Sequence, residues 1–155
     1  EALGSAERYL HRGLPYGVAF TGLWSLFVPL IAPGVVDALE PEMERLKALC
    51  FRLAVATVHA YAPMGPRSFY ARDFAPLLGI PEDPVTGSAN AALGALLARA
   101  GVVPRREGKV LLTVYQGHHL GNPGVVEVQV EYSPTGEPYS VQIGGEAVIV
   151  QTGEV

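Results

Sequence analysis

The residues best equipped for chemistry lie together in Glu82-Asp83-Pro84-Val85-Thr86-Gly87-Ser88-Ala89. Pro84 biases Asp83 away from the helical region, so the chain is still extended there. Thr86 or Ser88 can cap a helix start with a hydroxyl, and Gly87 lets the backbone approach a ligand closely. The first N–H groups of that helix, from about Gly87, Ser88 and Ala89, have no partner within it and suit a carboxylate. Asp83 adds an anionic acceptor for an amine or hydroxyl. A small molecule with opposite charges at its two ends fits that pair. An ordinary Asp-Pro loop with a helix cap fits the same letters.

The remaining reactive side chains read as structural. Cys50 is the single cysteine, which excludes an internal disulfide, and it lies among Leu46, Leu49 and Phe51 as a buried thiol. His59 stands alone in a strand pattern, where a structural role outweighs catalysis. His118-His119 follows Gln116-Gly117 and reads as a pair of loop residues. Arg105-Arg106 is the one basic doublet and sits in a loop-like stretch between Gly101 and Gly108.

These residues need a frame. From Ser88 to Ala100 the polar side chains are Ser88, Asn90 and Arg99 alone; Ala, Gly and Leu occupy every face. A helix apolar all round is buried, and its small residues allow a sheet to pack closely on several sides. Gly101 stops it. Upstream, 1–17 reads as a lead-in with a helical turn at 6–11. Val18–Leu30 reads as one or two strands, and Pro33–Leu39 as a short helix. A second helix starts at Glu40-Pro41-Glu42, with Met43, Leu46, Leu49 and Cys50 facing a core. Leu53–Ala62 reads as a strand with Val55, Thr57, His59 and Tyr61 on one face. Pro63–Pro66 then reads as a turn and Arg67–Phe74 as a further strand. After the helix come short strands. One covers Val110–Tyr115; Val126, Val128, Val130 and Tyr132 alternate with polar residues; Tyr139, Val141 and Ile143 alternate again; a last strand covers Ala147–Val150. The expected fold is α+β: a curved, mostly antiparallel sheet wrapped around one buried central helix.

The 155 residues form one domain large enough for a real core. A net charge of -4 without a basic stripe argues against nucleic acid. No charge occurs between Gly13 and Val36, but Gly17, Gly22, Pro29, Pro33 and Gly34 interrupt that run, so it reads as buried strand rather than a membrane span. No Met precedes Glu1 and no signal pattern follows it, which fits a piece of a longer protein. No Gly-rich phosphate loop is present.

Beyond the opening string, Arg72-Asp73-Phe74-Ala75-Pro76, Gly79-Ile80, Gln116-Gly117, Gly121-Asn122-Pro123-Gly124 and Val141-Gln142-Ile143-Gly144-Gly145-Glu146-Ala147-Val148 occur in order. Together they closely resemble the phenazine-biosynthesis isomerase-like (PhzF-like) family, over nearly the whole chain but only the second half of a family member. The resemblance implies a diaminopimelate-epimerase-like fold of two similar lobes, with the active site in the cleft between them. It implies acid/base proton transfer on a small carboxylic acid, with no metal or organic cofactor, in a cytoplasmic homodimer. Asp83 then holds substrate and serves the catalysis, with Thr86, Gly87 and Ser88 contributing contacts. The family's catalytic Glu and its neighbouring Gly-His lie in the first lobe and have no counterpart here.

Two positions depart from related patterns. Asn122 stands where the family usually carries Arg. Thr86 stands where the related cysteine-dependent epimerases place a Cys, so carboxylic acid/base isomerisation fits better than two-thiol racemisation. The competing reading is a non-catalytic small-molecule binding or assembly domain that keeps the fold.

Overall fold

A computed structural model describes residues 1–149 and Gly153. After a 3₁₀ turn at Glu7–Tyr9 the order is β1 (Gly17–Phe20), β2 (Trp24–Pro29), α1 (Pro33–Asp37), α2 (Met43–Leu53), β3 (Thr57–Gly65), β4 (Ser68–Ala75) and β5 (Ile80–Asp83). There follow α3 (Gly87–Arg99), β6 (Lys109–Gln116), β7 (Gly124–Tyr132) and β8 (Pro138–Gly144). The sheet runs β1-β2-β3-β4-β6-β7-β8, with β5 also on β4. The β2/β3 and β4/β6 pairs are parallel and the others antiparallel. The result is the expected α+β fold, a curled and mostly antiparallel half-barrel around α3. Among the described residues no helix is long and apolar enough to cross a membrane.

The sheet carries two cores. Phe27, Tyr61, Phe69, Leu112 and Val128 bury the inner face against Leu93 and Leu97 of α3. Leu26, Val58, Tyr70 and Phe74 bury the outer face against Val36 of α1 and Leu46 and Cys50 of α2. Strand β3 therefore has core on both sides and reads as a continuous apolar run. Strand β7 has core on one side only, so Val126, Val128 and Val130 alternate with wetter Glu127, Gln129 and Glu131.

Helix α3 owes its central place to its small residues. A Cβ on Gly94 would fall 2.5 Å from Val128 Cγ1, so the absence of one lets β7 lie directly against the helix. The enclosure is incomplete, contrary to the all-round burial expected of this helix. The edge strands β1 and β8 do not pair, and between them Ser88, Ala91 and Ala95 line an open groove of about 620 Å³ with Phe20 and Tyr139. Methyl-sized side chains tolerate that exposure.

Several boundaries differ from the expected ones. Helix α2 starts at Met43, with Pro41 before its cap, and runs through Leu53. Ala54, at φ 52, ends it in the left-handed region, so β3 begins only at Thr57 and Val55 packs in the outer core. Strand β3 continues through Pro63 to Gly65 by a register shift, leaving a tighter turn than expected. Residues 145–149 form no strand and find no partner strand among the described residues; Val150 lies outside them. One strand was not foreseen: β5, which carries Asp83 on its last position.

Candidate functional site

Strand β4 shares one edge between two partners, and that division builds the site. Its first half pairs with the end of β6, bringing Gln116 opposite Ala71. Its second half pairs with β5, bringing Asp83 opposite Asp73. The turn at 84–86 leaves the sheet where these two partners meet, and α3 starts immediately after it. Asp83, Thr86, Gly87 and Ser88 are thus brought together at one end of the half-barrel.

The turn is seated tightly. A Cβ on Gly117, at φ +85, would lie 2.6 Å from the Pro84 carbonyl oxygen and 2.1 Å from that of Asn122. A Cβ on Gly124 would lie 2.4 Å from Val85 Cγ2. The loop between β6 and β7 therefore closes over the turn only because two glycines leave room.

Arg72 anchors the preceding strand. Its guanidinium donates to both carboxylate oxygens of Glu82, at 2.9 and 2.8 Å. Its Nη1 donates to the carbonyls of Val36, Asp37 and Leu39. This buried fork ties β5 to the end of α1, one residue before Asp83.

Two polar residues that the sequence did not single out for the site hold the turn from within. Gln116 is fully buried. Its Oε1 accepts from the Thr86 N–H at 3.2 Å and from Asn90 Nδ2 at 2.7 Å. Its Nε2 donates to the Asp83 carbonyl at 2.8 Å and to Thr86 Oγ1 at 3.0 Å. Asn90, also fully buried, donates to the Thr86 carbonyl at 2.9 Å. A signal for both was present: an amide ending an apolar strand and an amide inside an apolar helix each need a buried partner.

The helix start behaves differently from the simple cap. Thr86 occupies the N-cap position, but its hydroxyl makes no cap bond. It donates instead to Asp83 Oδ2 at 2.7 Å. At Gly87 an added Cβ would meet the flexible tip of Ile143 of β8, Cδ1, at 2.9 Å. The Ser88 carbonyl accepts from the Thr21 hydroxyl at 2.7 Å, pinning the β1–β2 turn to the helix start. Among the described residues the N–H groups of Gly87, Ser88 and Ala89 have no hydrogen-bond acceptor, and Asp83 Oδ1 has no donor. The site thus offers the partly exposed Gly87 and Ser88 N–H groups at the positive end of a 13-residue helix, with one free carboxylate oxygen a turn earlier in the chain.

The other candidates keep structural places. His59 is buried, with Nδ1 2.9 Å from Asp73 Oδ1 on the neighbouring strand. Cys50 is buried in the outer core, and burial, followed by the charge of Asp73, pushes its thiol above the ordinary value. His118 packs on Tyr70 and Tyr115 outside the turn.

Residues 1–153 match the family described as phenazine biosynthesis-like protein. An uncharacterized isomerase of Deinococcus radiodurans is 52% identical over 99% of this chain and 49% of its own length. The uncharacterized isomerase YddE of Escherichia coli K12 is 35% identical over 96% of this chain and 50% of its own. A solved PhzF-family protein of Bacillus anthracis superposes with a TM-score of 0.76 at 27% identity, over 92% of this chain and 48% of that one. A probable proline racemase of Agrobacterium radiobacter shares the fold alone, with a TM-score of 0.51 at 13% identity. The chain spans about half the length of the curated relatives it matches. On this sequence match, and with the fold agreeing, the chain belongs to the phenazine biosynthesis-like (PhzF) family.

Proposed function

We propose that this chain is the substrate-holding lobe of an isomerase that moves a proton within a small carboxylic acid. One observation carries the reading: Asp83 Oδ1 and the partly exposed N–H groups of Gly87 and Ser88 are unpaired and close in the chain at the start of α3. The helix start receives the substrate carboxylate, and Asp83 receives an amine or hydroxyl on the same molecule. Thr86 holds Asp83 in place. A base takes a proton from one carbon, the electron pair shifts along the substrate, and the proton returns at another carbon. No atom is gained or lost. The base is a Glu in a first lobe outside these residues, and neither a metal nor an organic cofactor takes part.

The test is proton exchange in the full-length protein. Candidate amino- and hydroxy-substituted carboxylic acids are incubated with it in D₂O, and deuterium uptake at carbon is read by mass spectrometry. Asp83→Asn keeps an acceptor for the Thr86 hydroxyl, so the fold is expected to hold within about 1 kcal/mol. The lost charge on a substrate hydrogen bond is expected to lower turnover by about 10- to 100-fold. Unaltered exchange in that variant, on a substrate the wild type exchanges, would sink the assignment.

A further inference from the structure

Some bonds of the turn have only one possible direction, and they settle the others. The Thr86 N–H can only donate, so the Gln116 atom 3.2 Å away is the amide oxygen. The Asp83 carbonyl can only accept, so the Gln116 atom 2.8 Å away is the amide nitrogen. That nitrogen also lies 3.0 Å from Thr86 Oγ1 and can only donate to it. Thr86 carries a single hydroxyl proton, so with one lone pair engaged by Gln116 the proton is left for Asp83 Oδ2, 2.7 Å away. Asn90 fixes the far side in the same way, since its Nδ2 donates to the Thr86 carbonyl and to Gln116 Oε1.

We infer that Gln116 is a positioning residue whose fixed amide sets the polarity of this relay. It commits Asp83 Oδ2 to accepting from Thr86 and leaves Oδ1 as the oxygen through which Asp83 meets a ligand. Gln116 is fully buried and both ends of its amide are doubly engaged, so an amide flip would break three bonds at once and draw the Thr86 hydroxyl proton away from Asp83. The inference deepens the proposed function, because it assumes that Asp83 faces the ligand. The relay itself can be tested without any substrate.

The experiment is neutron diffraction on D₂O-exchanged crystals of the intact protein. The wild type should show the Thr86 deuteron pointing at Asp83 Oδ2, two deuterons on Gln116 Nε2 and none on Asp83 Oδ2. Gln116→Glu, crystallised at a pH high enough to ionise the buried carboxyl, substitutes a group that can only accept, so the Thr86 deuteron should rotate to another staggered well, about 120° away from Asp83. Thr86→Ser should keep the wild-type orientation, which a merely space-filling role for Gln116 does not require. A deuteron on Asp83 Oδ2, a Thr86 deuteron turned from Asp83 in the wild type, or an unchanged orientation in Gln116→Glu with no deuteron on the new carboxylate overturns the inference. Should Gln116→Glu fail to fold, the wild-type and Thr86→Ser maps decide it. Absence of deuterium uptake by every tested acid would count against the isomerase reading and leave the deuteron map as it is.

Discussion

Replacing Arg72 with Met tests how β5 and its Asp83 are held. Met matches the length of the Arg stem and can keep its apolar packing. What disappears is a buried fork: Arg72 is 3% exposed, and it binds both oxygens of a Glu82 carboxylate whose side chain is 9% exposed. Removing one partner of a buried ion pair costs about 3–5 kcal/mol, because the remaining charge is stranded away from water. The carbonyls of Val36, Asp37 and Leu39 lose a shared donor as well. With Glu82 at the barrel rim able to recover some hydration, Arg72→Met is expected to cost about 4 kcal/mol. In a domain of this size that lowers Tm by roughly 8–16 °C. Urea denaturation of the intact protein, followed by circular dichroism, measures it. The double variant Arg72→Met/Glu82→Leu removes the stranded charge and should recover at least half the loss, with the three carbonyls accounting for the remainder. A single-variant loss below about 1 kcal/mol, or a double variant less stable than the single, would refute the account.

Two further outcomes follow from other packed residues. Gly94→Ala gains about 1 kcal/mol of helix propensity but forces a methyl to within 2.5 Å of Val128 Cγ1, so a net loss of about 1–2 kcal/mol is expected in urea denaturation. Pairing it with Val128→Ala should relieve that overlap, and strictly additive losses would contradict the close approach. Burial pushes the Tyr61 hydroxyl above its ordinary value of 10.0, while its proton goes to the Pro15 carbonyl. The folded protein therefore favours the neutral phenol. That stabilisation is complete below pH 10 and is lost as the pH rises beyond it. Tyr61→Phe should start about 1 kcal/mol less stable and show a shallower decline above that pH. An unchanged alkaline slope would count against the burial argument.

Much of this molecule was legible in its letters because local chemistry dictated it. Ala91, Ala92, Gly94 and Ala95 made α3 a helix that only close strands could cover, and Val126, Val128 and Val130 made β7 a one-sided strand. Glu82 to Ala89 marked both the candidate turn and, by resemblance, the family. Other features belonged to the tertiary structure. The β5 strand exists only because β4 leaves half an edge free. The extension of β3 through Pro63 depends on a partner strand accepting a register shift. Ala147-Val148-Ile149 reads as a strand by pattern, yet no described edge pairs with it.

The chemistry divides in the same way. Residue types alone placed an acid, a hydroxyl and a helix start at Asp83, Thr86, Gly87 and Ser88. They could not show that the Thr86 hydroxyl serves Asp83 instead of capping the helix, nor that Ile143 lies against Gly87. They did not show that Gln116, some thirty residues away in sequence, bonds to both the N–H and the hydroxyl of Thr86. Each of those depends on which strand neighbours which, and a hydrogen bond across such a distance in sequence leaves no spacing to read. Sequence determined the helix, its apolar faces and the donors at its start. Only the sheet order decided which atoms of that turn are spent on the fold and which remain unpaired.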